Sequence, residues 1–206
     1  MSEDPAAKLR RGPRLDPAGA EFWDARYREA FMPWDAGGVP AALQRFLAGE
    51  QTARRVLLPG CGAAYEARAF AERGHDVLAI DFSTLALERA RALLGDWSRV
   101  LRHADFFADD LGAPFDIVYE RAFLCALPRP HWARWAARVA EIVRPGGRVA
   151  GFFFRSDDDR GPPFGLKTGE IEALLAPAFD RVADAPVEDS IPVFAGRERW
   201  QEWRRR

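Results

Sequence analysis

Two glycines and an aspartate are the residues of this chain whose types and spacing most clearly point to chemistry. Gly60 and Gly62 follow an apolar segment at residues 55–58, and Asp81 ends a second apolar segment at residues 76–80. Glycines after a first strand let a ligand approach the backbone closely, and an acid about twenty residues further on can accept hydrogen bonds from ribose hydroxyls. The spacing therefore predicts a site for a ligand that contains a nucleoside.

The residue at position 65 narrows the choice of nucleoside. A dinucleotide site needs a third glycine for close helix packing, and Tyr65 stands at that position here. No Gly-Lys-Ser/Thr follows the turn, which excludes a P-loop. S-adenosylmethionine has a ribose but no phosphate, so it fits this turn better. Asp105 and Phe106 follow the third apolar segment, where an acid can accept from the adenine amino group and a ring can cover the base.

Composition excludes several classes of function. The chain has 206 residues with a formal net charge of −1, so its overall charge indicates neither nucleic acid nor a membrane surface as a partner. Its apolar runs are far shorter than a membrane span. Two cysteines and three histidines stand at no metal-ligand spacing, so we expect no metal. Cytoplasm is the expected compartment. The three terminal arginines are expected to form a solvated tail.

Elements that would position these residues alternate along the chain. Strands are predicted at residues 55–58, 76–80, 100–103, 115–119, 148–154, 179–187 and 193–203. Helices are predicted at residues 16–30, 40–48, 64–73, 83–94, 129–143 and 168–175, with Ser83 and Thr168 as N-caps. This alternation predicts an α/β fold with a mostly parallel sheet and helices on both faces. Residues 16–206 are expected to form a single domain, and residues 1–15 a disordered lead-in.

Five segments together resemble the thiopurine S-methyltransferase family, which includes thiol and halide methyltransferases. The resemblance covers residues 21–203. The segments are Phe22-Trp23 with Pro33-Trp34-Asp35, Leu58-Pro59-Gly60-Cys61-Gly62, Glu72-Arg73-Gly74-His75, Asp105-Phe106-Phe107 and Gly161-Pro162-Pro163-Phe164. The tryptophan-bearing loop and the Gly-Pro-Pro-Phe loop are unusual in other methyltransferases.

The resemblance implies an enzyme with a Rossmann-like class I methyltransferase fold, a seven-stranded sheet and an N-terminal helical lid. It implies S-adenosylmethionine as cofactor and a small-molecule acceptor, in a monomer or weak homo-oligomer. It also implies roles for individual residues. The cofactor-binding residues would be Trp23 and Trp34, which cover the cofactor, Gly60 and Gly62 in the turn, Asp81 at the ribose, Asp105 and Phe106 at the adenine, and Arg121 facing the sulfonium.

The acceptor stays open between a thiol, hydrosulfide and a halide, because the segment after the fourth strand mixes features of two subgroups. A soft anion needs no strong base, since a free thiol of pKa about 8.5 is already partly ionised at neutral pH. We expect Arg121 to orient the acceptor or lower its pKa. Phe31, Trp34 and Phe164 are expected to wall a small apolar acceptor pocket.

Three alternatives remain at this stage. A nitrogen or oxygen acceptor would need a base, for which Glu120, Asp35 and Tyr65 are candidates. A protein that binds S-adenosylmethionine without catalysis would carry the same turn. Arg121 could instead serve only as an ion-pair partner of Glu120 or Asp35.

Overall fold

A computed structural model describes residues 15–206 of the chain. The expected lead-in at residues 1–15 therefore falls almost entirely outside the described residues. The strands are β1 Arg55–Pro59, β2 Asp76–Asp81, β3 Leu101–His103, β4 Phe115–Arg121, β5 Val143–Phe154, β6 Phe179–Pro186 and β7 Glu198–Arg205. The α-helices are α1 Ala20–Arg28, α2 Ala41–Gly49, α3 Tyr65–Glu72, α4 Thr84–Leu94, α5 Trp132–Ile142 and α6 Glu170–Leu175.

One seven-stranded sheet runs through the described chain in the order β3-β2-β1-β4-β5-β7-β6. The first five strands pair in parallel. Strand β7 lies between β5 and β6 and is antiparallel to both. The prediction of a mostly parallel seven-stranded sheet is confirmed. The strand order reverses between β1 and β4, which is the place where open α/β sheets bind ligands at their carboxyl ends.

Each face of the sheet carries its own core. In β1 the side chains of Val56 and Leu58 enter one core and Leu57 enters the other, as the alternation of a strand requires. Helices α2, α3 and α4 contribute to the first core, and helices α5 and α6 to the second. Trp135 is fully buried in the second core, which settles its role as packing.

Several element ends differ from the predictions for identifiable reasons. Helix α1 begins at Ala20, because the Asp16 carboxylate bonds the nearby Ala18 N–H in a turn that precedes the helix. Strand β5 begins at Val143 instead of Arg148, since Val143 already pairs with β4 and the intervening residues form a bulge.

The predicted helix caps had mixed outcomes. Ser83 caps α4 as predicted, with its Oγ accepting from the Ala86 N–H. Gly169, with a positive φ, is the N-cap of α6 instead of Thr168. The expected solvated tail is also wrong, because Arg206 donates hydrogen bonds to the Ala176 and Pro177 carbonyls just beyond α6. In the part of the chain that is described, every helix is too short or too polar to cross a bilayer.

Candidate functional site

A cavity that we call the main cavity opens at the carboxyl ends of β1, β2 and β4. It encloses about 1030 Å³ of empty space, counting the solvent at its mouth. The glycine side of the cavity is formed by Gly60, Gly62 and Asp81, and the arginine side by Glu66, Arg121, Cys125 and Phe194.

The turn after β1 exposes backbone to the cavity because no side chain fits there. Gly60 and Gly62 have φ values of +58° and +52°, which glycine adopts without steric cost. A Cβ on Gly60 would lie 2.5 Å from the Phe123 ring, and one on Gly62 would lie 3.1 Å from the Tyr27 hydroxyl. A ligand at this turn is therefore held against main chain with aromatic rings beside it.

Asp81 lies at the end of β2 with its carboxylate facing the same turn. It accepts hydrogen bonds from the Gly62 N–H at 3.0 Å and the Ser83 N–H at 2.9 Å. Burial raises the pKa of Asp81 to about 6, while hydrogen bonds from the backbone of Ser83, Gly62 and Phe82 limit the rise. A carboxylate has about four acceptor positions, so these backbone donors still leave acceptor capacity for a ligand hydroxyl.

Three aromatic side chains from α1 and the loop after it form one wall of the cavity. Trp34 makes edge-to-face contacts with Trp23 at 5.3 Å and with Tyr27 at 6.0 Å between ring centroids. This wall is tied to α4 from two points. The Asp24 carboxylate accepts from the Ser83 hydroxyl at 2.5 Å, and Asp35 forms an ion pair with Arg89 at 2.9 Å.

Arg121, at the end of β4, lies between two carboxylates. Its Nε is 3.9 Å from Glu66 Oε1, and its Nη1 is 3.9 Å from Glu198 Oε1. Its guanidinium stacks over the Phe152 ring at 4.2 Å. Distances of 3.9 Å are too long for hydrogen bonds, and Nη1 has no acceptor among the described residues. The arginine is thus held in place electrostatically, and its Nη1 has no hydrogen-bond acceptor among the described residues.

The alternative that Arg121 pairs with Glu120 or Asp35 is not what the structure shows. Glu120 is buried, and its Oε1 accepts from the backbone N–H groups of Phe123 and Leu124 at 2.9 Å. Its carboxylate borders a separate, small cavity instead of the main one. Burial raises the pKa of Glu120 to about 7.

Burial also raises the pKa of Glu66 and of Glu198, and the Arg121 guanidinium limits the rise in both. The thiol pKa values of Cys61 and Cys125 are raised by the same cause. On the arginine side, burial therefore disfavours additional negative charge. The Arg121 guanidinium acts in the opposite direction, because it attracts negative charge.

The predicted site residues separate into two groups. Those that line the main cavity are Trp23, Trp34, Gly60, Gly62, Asp81 and Arg121. Those that the structure does not bring into its lining are Phe31, Asp105, Phe106 and Phe164. The roles assigned to both groups stay predictions.

Local packing explains the second group. Asp105 turns its carboxylate back to the Phe107 N–H at 2.6 Å, and Phe106 is buried in the core with its ring 5.2 Å from that of Phe123. Phe164 borders the small cavity. Phe31 lies just past α1, where its N–H donates to the Arg26 carbonyl. The side chain of Phe31 is half-buried and lies outside the main cavity.

Sequence reasoning left out several residues that line the cavity. Phe82 directly follows Asp81, and Pro162 and Pro163 directly precede Phe164, so each lay one or two positions from a predicted residue. Glu66 follows Tyr65 at the start of α3 and carried no pattern of its own. Phe194 belongs to the loop between β6 and β7, and no local signal in the sequence marked it.

The lining suits a cation that carries a ribose. Among the described residues of the lining, three carboxylates (Asp35, Glu66 and Asp81) stand against the single guanidinium of Arg121, with no lysine or histidine. S-adenosylmethionine is a cationic nucleoside without phosphates, and the exposed turn backbone, the free acceptor positions of Asp81 and the aromatic wall fit it.

The comparisons with known proteins agree with this reading. The family model for thiopurine S-methyltransferase (TPMT) matches residues 18–206. "Probable thiol methyltransferase 2" of Arabidopsis thaliana is 26% identical over 190 residues, which cover 89% of this chain and 84% of that protein. "Thiocyanate methyltransferase 1" of Brassica oleracea shows the same identity and coverage. A thiopurine S-methyltransferase of Nitrosospira multiformis is 29% identical over 181 residues, covering 78% of this chain and 82% of that one.

Solved structures support the fold. A Burkholderia thailandensis 1,6-didemethyltoxoflavin-N1-methyltransferase with bound S-adenosylhomocysteine superposes with a TM-score of 0.70 at 21% identity, covering 95% of this chain and 92% of that one. A Synechocystis magnesium protoporphyrin IX methyltransferase with bound S-adenosylmethionine gives a TM-score of 0.72 at 16% identity, covering 95% and 100%. The class I methyltransferase fold is confirmed. Since the family match spans nearly the whole described chain, the protein belongs to the thiopurine S-methyltransferase family of S-adenosylmethionine-dependent methyltransferases.

Proposed function

We propose that this enzyme methylates a small soft nucleophile, namely a thiol, hydrosulfide, or a halide or thiocyanate ion. The observation that carries the proposal is the arginine side of the cavity. There the buried Arg121 guanidinium has an Nη1 without an acceptor among the described residues, and the neighbouring lining is largely apolar, from Cys125, Pro162 and Phe194. An anion or a polarisable thiol fits such a place better than a strongly hydrated nucleophile.

On the glycine side, the cofactor is held by contacts that the described residues can make. Asp81 accepts from the ribose hydroxyls, and the backbone at Gly60 and Gly62 approaches the ligand closely. Trp23 and Trp34 cover it, so that α1 and its following loop act as the N-terminal lid. Asp105 and Phe106 are kept as predicted adenine-side residues, acting behind Phe123.

When bound, S-adenosylmethionine supplies a methyl group activated by its sulfonium. The protein then has to orient the acceptor in line with that group and exclude water. Arg121 orients the acceptor through its free donors and stabilises its negative charge. Trp34 and Phe194 limit the size of the acceptor and keep water out. Phe31 and Phe164 stay predicted acceptor-side residues that act from outside the lining.

The names of the relatives support this choice of acceptor. Plant proteins named for thiol and thiocyanate methylation align over 89% of the chain. We also propose that residues 16–206 act as one domain, and that the enzyme is cytoplasmic, a monomer or weak homo-oligomer, and without a nucleic-acid or membrane partner.

A nitrogen or oxygen acceptor is less well supported by the site. Of the candidate bases, Glu120 faces away from the main cavity and Asp35 is engaged by Arg89. Tyr65 lines the cavity, but a neutral phenol is a poor proton acceptor.

An acceptor panel tests the proposal. The purified protein is given S-adenosylmethionine with hydrosulfide, small thiols, aromatic thiols, iodide, thiocyanate or amines, and formation of S-adenosylhomocysteine is measured. We expect turnover with the sulfur and halide acceptors and background with amines. Turnover with amines alone would contradict the proposed acceptor class, and binding of S-adenosylmethionine without turnover on any acceptor would contradict the proposed function as a whole.

A further inference from the structure

Two carboxylates share one guanidinium at the place where the proposed acceptor binds. Glu66 and Glu198 each approach Arg121 to 3.9 Å, from α3 and β7. All three side chains are nearly out of contact with solvent, at 12%, 3% and 11% exposure for Glu66, Glu198 and Arg121. If both acids were ionised, the group would carry one net negative charge and would repel an entering anion.

We propose that Glu66 takes up one proton whenever an acceptor occupies the arginine side, so that the acceptor and its proton enter together. An anion such as thiocyanate then binds with a proton from solvent, and a neutral thiol brings its own. The inference rests on the proposed function and adds a residue with a defined role to it.

Geometry selects Glu66 over the other acids. It is the member of the pair that lines the cavity, whereas Glu198 lies behind Arg121 outside the lining. Arg121 is the one ion-pair partner that the described residues give Glu66. Burial raises the pKa of Glu66, which moves the carboxyl toward the pH range in which it can gain and lose a proton.

The groups that face Glu66 come from every element packed around it. Arg121 favours its ionised form, while the carboxylate of Asp35 opposes it. Glu198 acts on Arg121 from the far side. The phenol of Tyr119 and the thiol of Cys61 are both protonated at neutral pH because burial raises their pKa values, so neither adds charge. The titratable and charged groups around Glu66 are thus Asp35, Cys61, Tyr119, Arg121 and Glu198.

For a thiol acceptor the proton transfer balances simply. The S–H bond breaks and its proton passes to a Glu66 carboxylate oxygen. The sulfur lone pair forms the new bond to the methyl carbon, and the electron pair of the broken C–S bond stays on the sulfur of the departing cofactor product. Glu66 returns the proton to solvent when the methylated product leaves.

The proposal makes opposite pH predictions for the two acceptor types. Anion binding needs a proton from solvent, so thiocyanate affinity should fall about tenfold per pH unit above the pKa of Glu66. Thiol methylation should be nearly independent of pH between the pKa of Glu66 and the pKa of the thiol. In Glu66→Gln the site stays neutral. Thiocyanate binding should then lose its pH dependence, and thiol methylation should fall at least about tenfold at pH 6 and recover as pH rises.

Calorimetry provides a readout that does not depend on turnover. Thiocyanate is titrated into the protein saturated with S-adenosylhomocysteine, in two buffers of different ionisation enthalpy, which measures protons taken up per anion. We expect uptake approaching one proton at pH 8 for the wild type and none for Glu66→Gln. Glu72→Gln is the matched control, because Glu72 lies on the same helix, exposed and paired with Arg68 at 2.7 Å, and it should behave as the wild type.

Each outcome of these experiments supports or contradicts the role proposed for Glu66. Uptake that persists in Glu66→Gln and disappears in Glu198→Gln would overturn the assignment to Glu66. An equal loss of thiol and thiocyanate methylation in Glu66→Gln, together with weaker cofactor binding, would show that Glu66 holds the cofactor instead. A wild type that methylates thiocyanate without proton uptake would overturn the inference and leave the proposed function standing. A wild type that neither binds nor methylates any panel acceptor would overturn both.

Discussion

The glycine side and the arginine side of the cavity are assembled from different kinds of contact. On the glycine side, Asp81 and the turn it faces lie at the ends of two adjacent parallel strands, and their hydrogen bonds are 3.0 Å or shorter. On the arginine side, Arg121 is held by acids on α3 and β7 at 3.9 Å, with no hydrogen bond between them. The first side is tightly bonded, whereas the second keeps donors and protonation states free. This difference matches the proposed function, in which the cofactor is always the same and the acceptor differs in charge from one substrate to another.

Replacing Asp81 should have the largest effect, and this effect should be on cofactor binding alone. Asp81→Ala removes the charge-assisted hydrogen bonding to the ribose that we propose for this carboxylate, which corresponds to about 4 kcal/mol, or roughly a thousandfold in the Kd for S-adenosylmethionine. Asp81→Asn keeps an acceptor oxygen and should lose less. Calorimetric titration measures both, with circular dichroism as a check on folding. A folded Asp81→Ala protein with unchanged Kd would break the distinction between the two sides.

Replacing Arg121 should have the next largest effect, and on the opposite quantity. Arg121→Ala should lower kcat about a hundredfold, close to 3 kcal/mol, while the Kd for S-adenosylmethionine changes by less than about threefold. Arg121→Lys keeps the charge but loses the planar fork and the stacking on Phe152, so it should recover only part of the rate. An unchanged rate at saturating thiol would remove Arg121 from the reaction.

Glu120 accepts hydrogen bonds from the backbone just after β4 and does not line the main cavity, so its replacement should change stability with little effect on either ligand. Burial raises the folded-state pKa to about 7, above the unfolded value of 4.5. Its contribution to stability is therefore complete below about pH 4.5 and is lost as pH rises toward 7. Glu120→Gln should be more stable than the wild type at pH 8, by about 2 kcal/mol. Thermal unfolding at pH 4.5 and pH 8 measures this; an advantage that is equal at both would contradict the assignment.

Phe194 should give the smallest effect, on acceptor size alone. Phe194→Leu shortens the wall of the arginine side, so kcat/KM for an aromatic thiol relative to hydrosulfide should rise about fivefold, near 1 kcal/mol. Phe154→Leu is the matched control, because Phe154 packs on Phe194 at 5.2 Å without lining the main cavity. The same change of ratio in both variants would show that general loosening, not the wall, is responsible.

How far the sequence predicted the molecule follows the same division. Gly60, Gly62, Asp81 and the Ser83 cap were all placed by local signals, because each lies at a strand end or helix start whose residue types are physically required there. The sheet itself followed from the alternation of apolar segments.

The arginine side lacked such signals. The approach of Glu198 to Arg121 arises only when β7 lies beside β5, and no spacing along the chain indicates that contact. Asp105 shows the limit in the other direction. Its position after β3 was identified from the sequence. However, its carboxylate accepts a hydrogen bond from the nearby Phe107 N–H, as short acidic side chains in turns commonly do from neighbouring backbone.

The position of β7 between β5 and β6 also has a consequence for biosynthesis. During translation, β1, β2 and β4 leave the ribosome before β7. Glu198, the second acid beside Arg121, arrives only when the final strand is inserted between two earlier ones. The pair of acids around Arg121 is therefore complete only after the last strand of the described sheet has been synthesised and inserted.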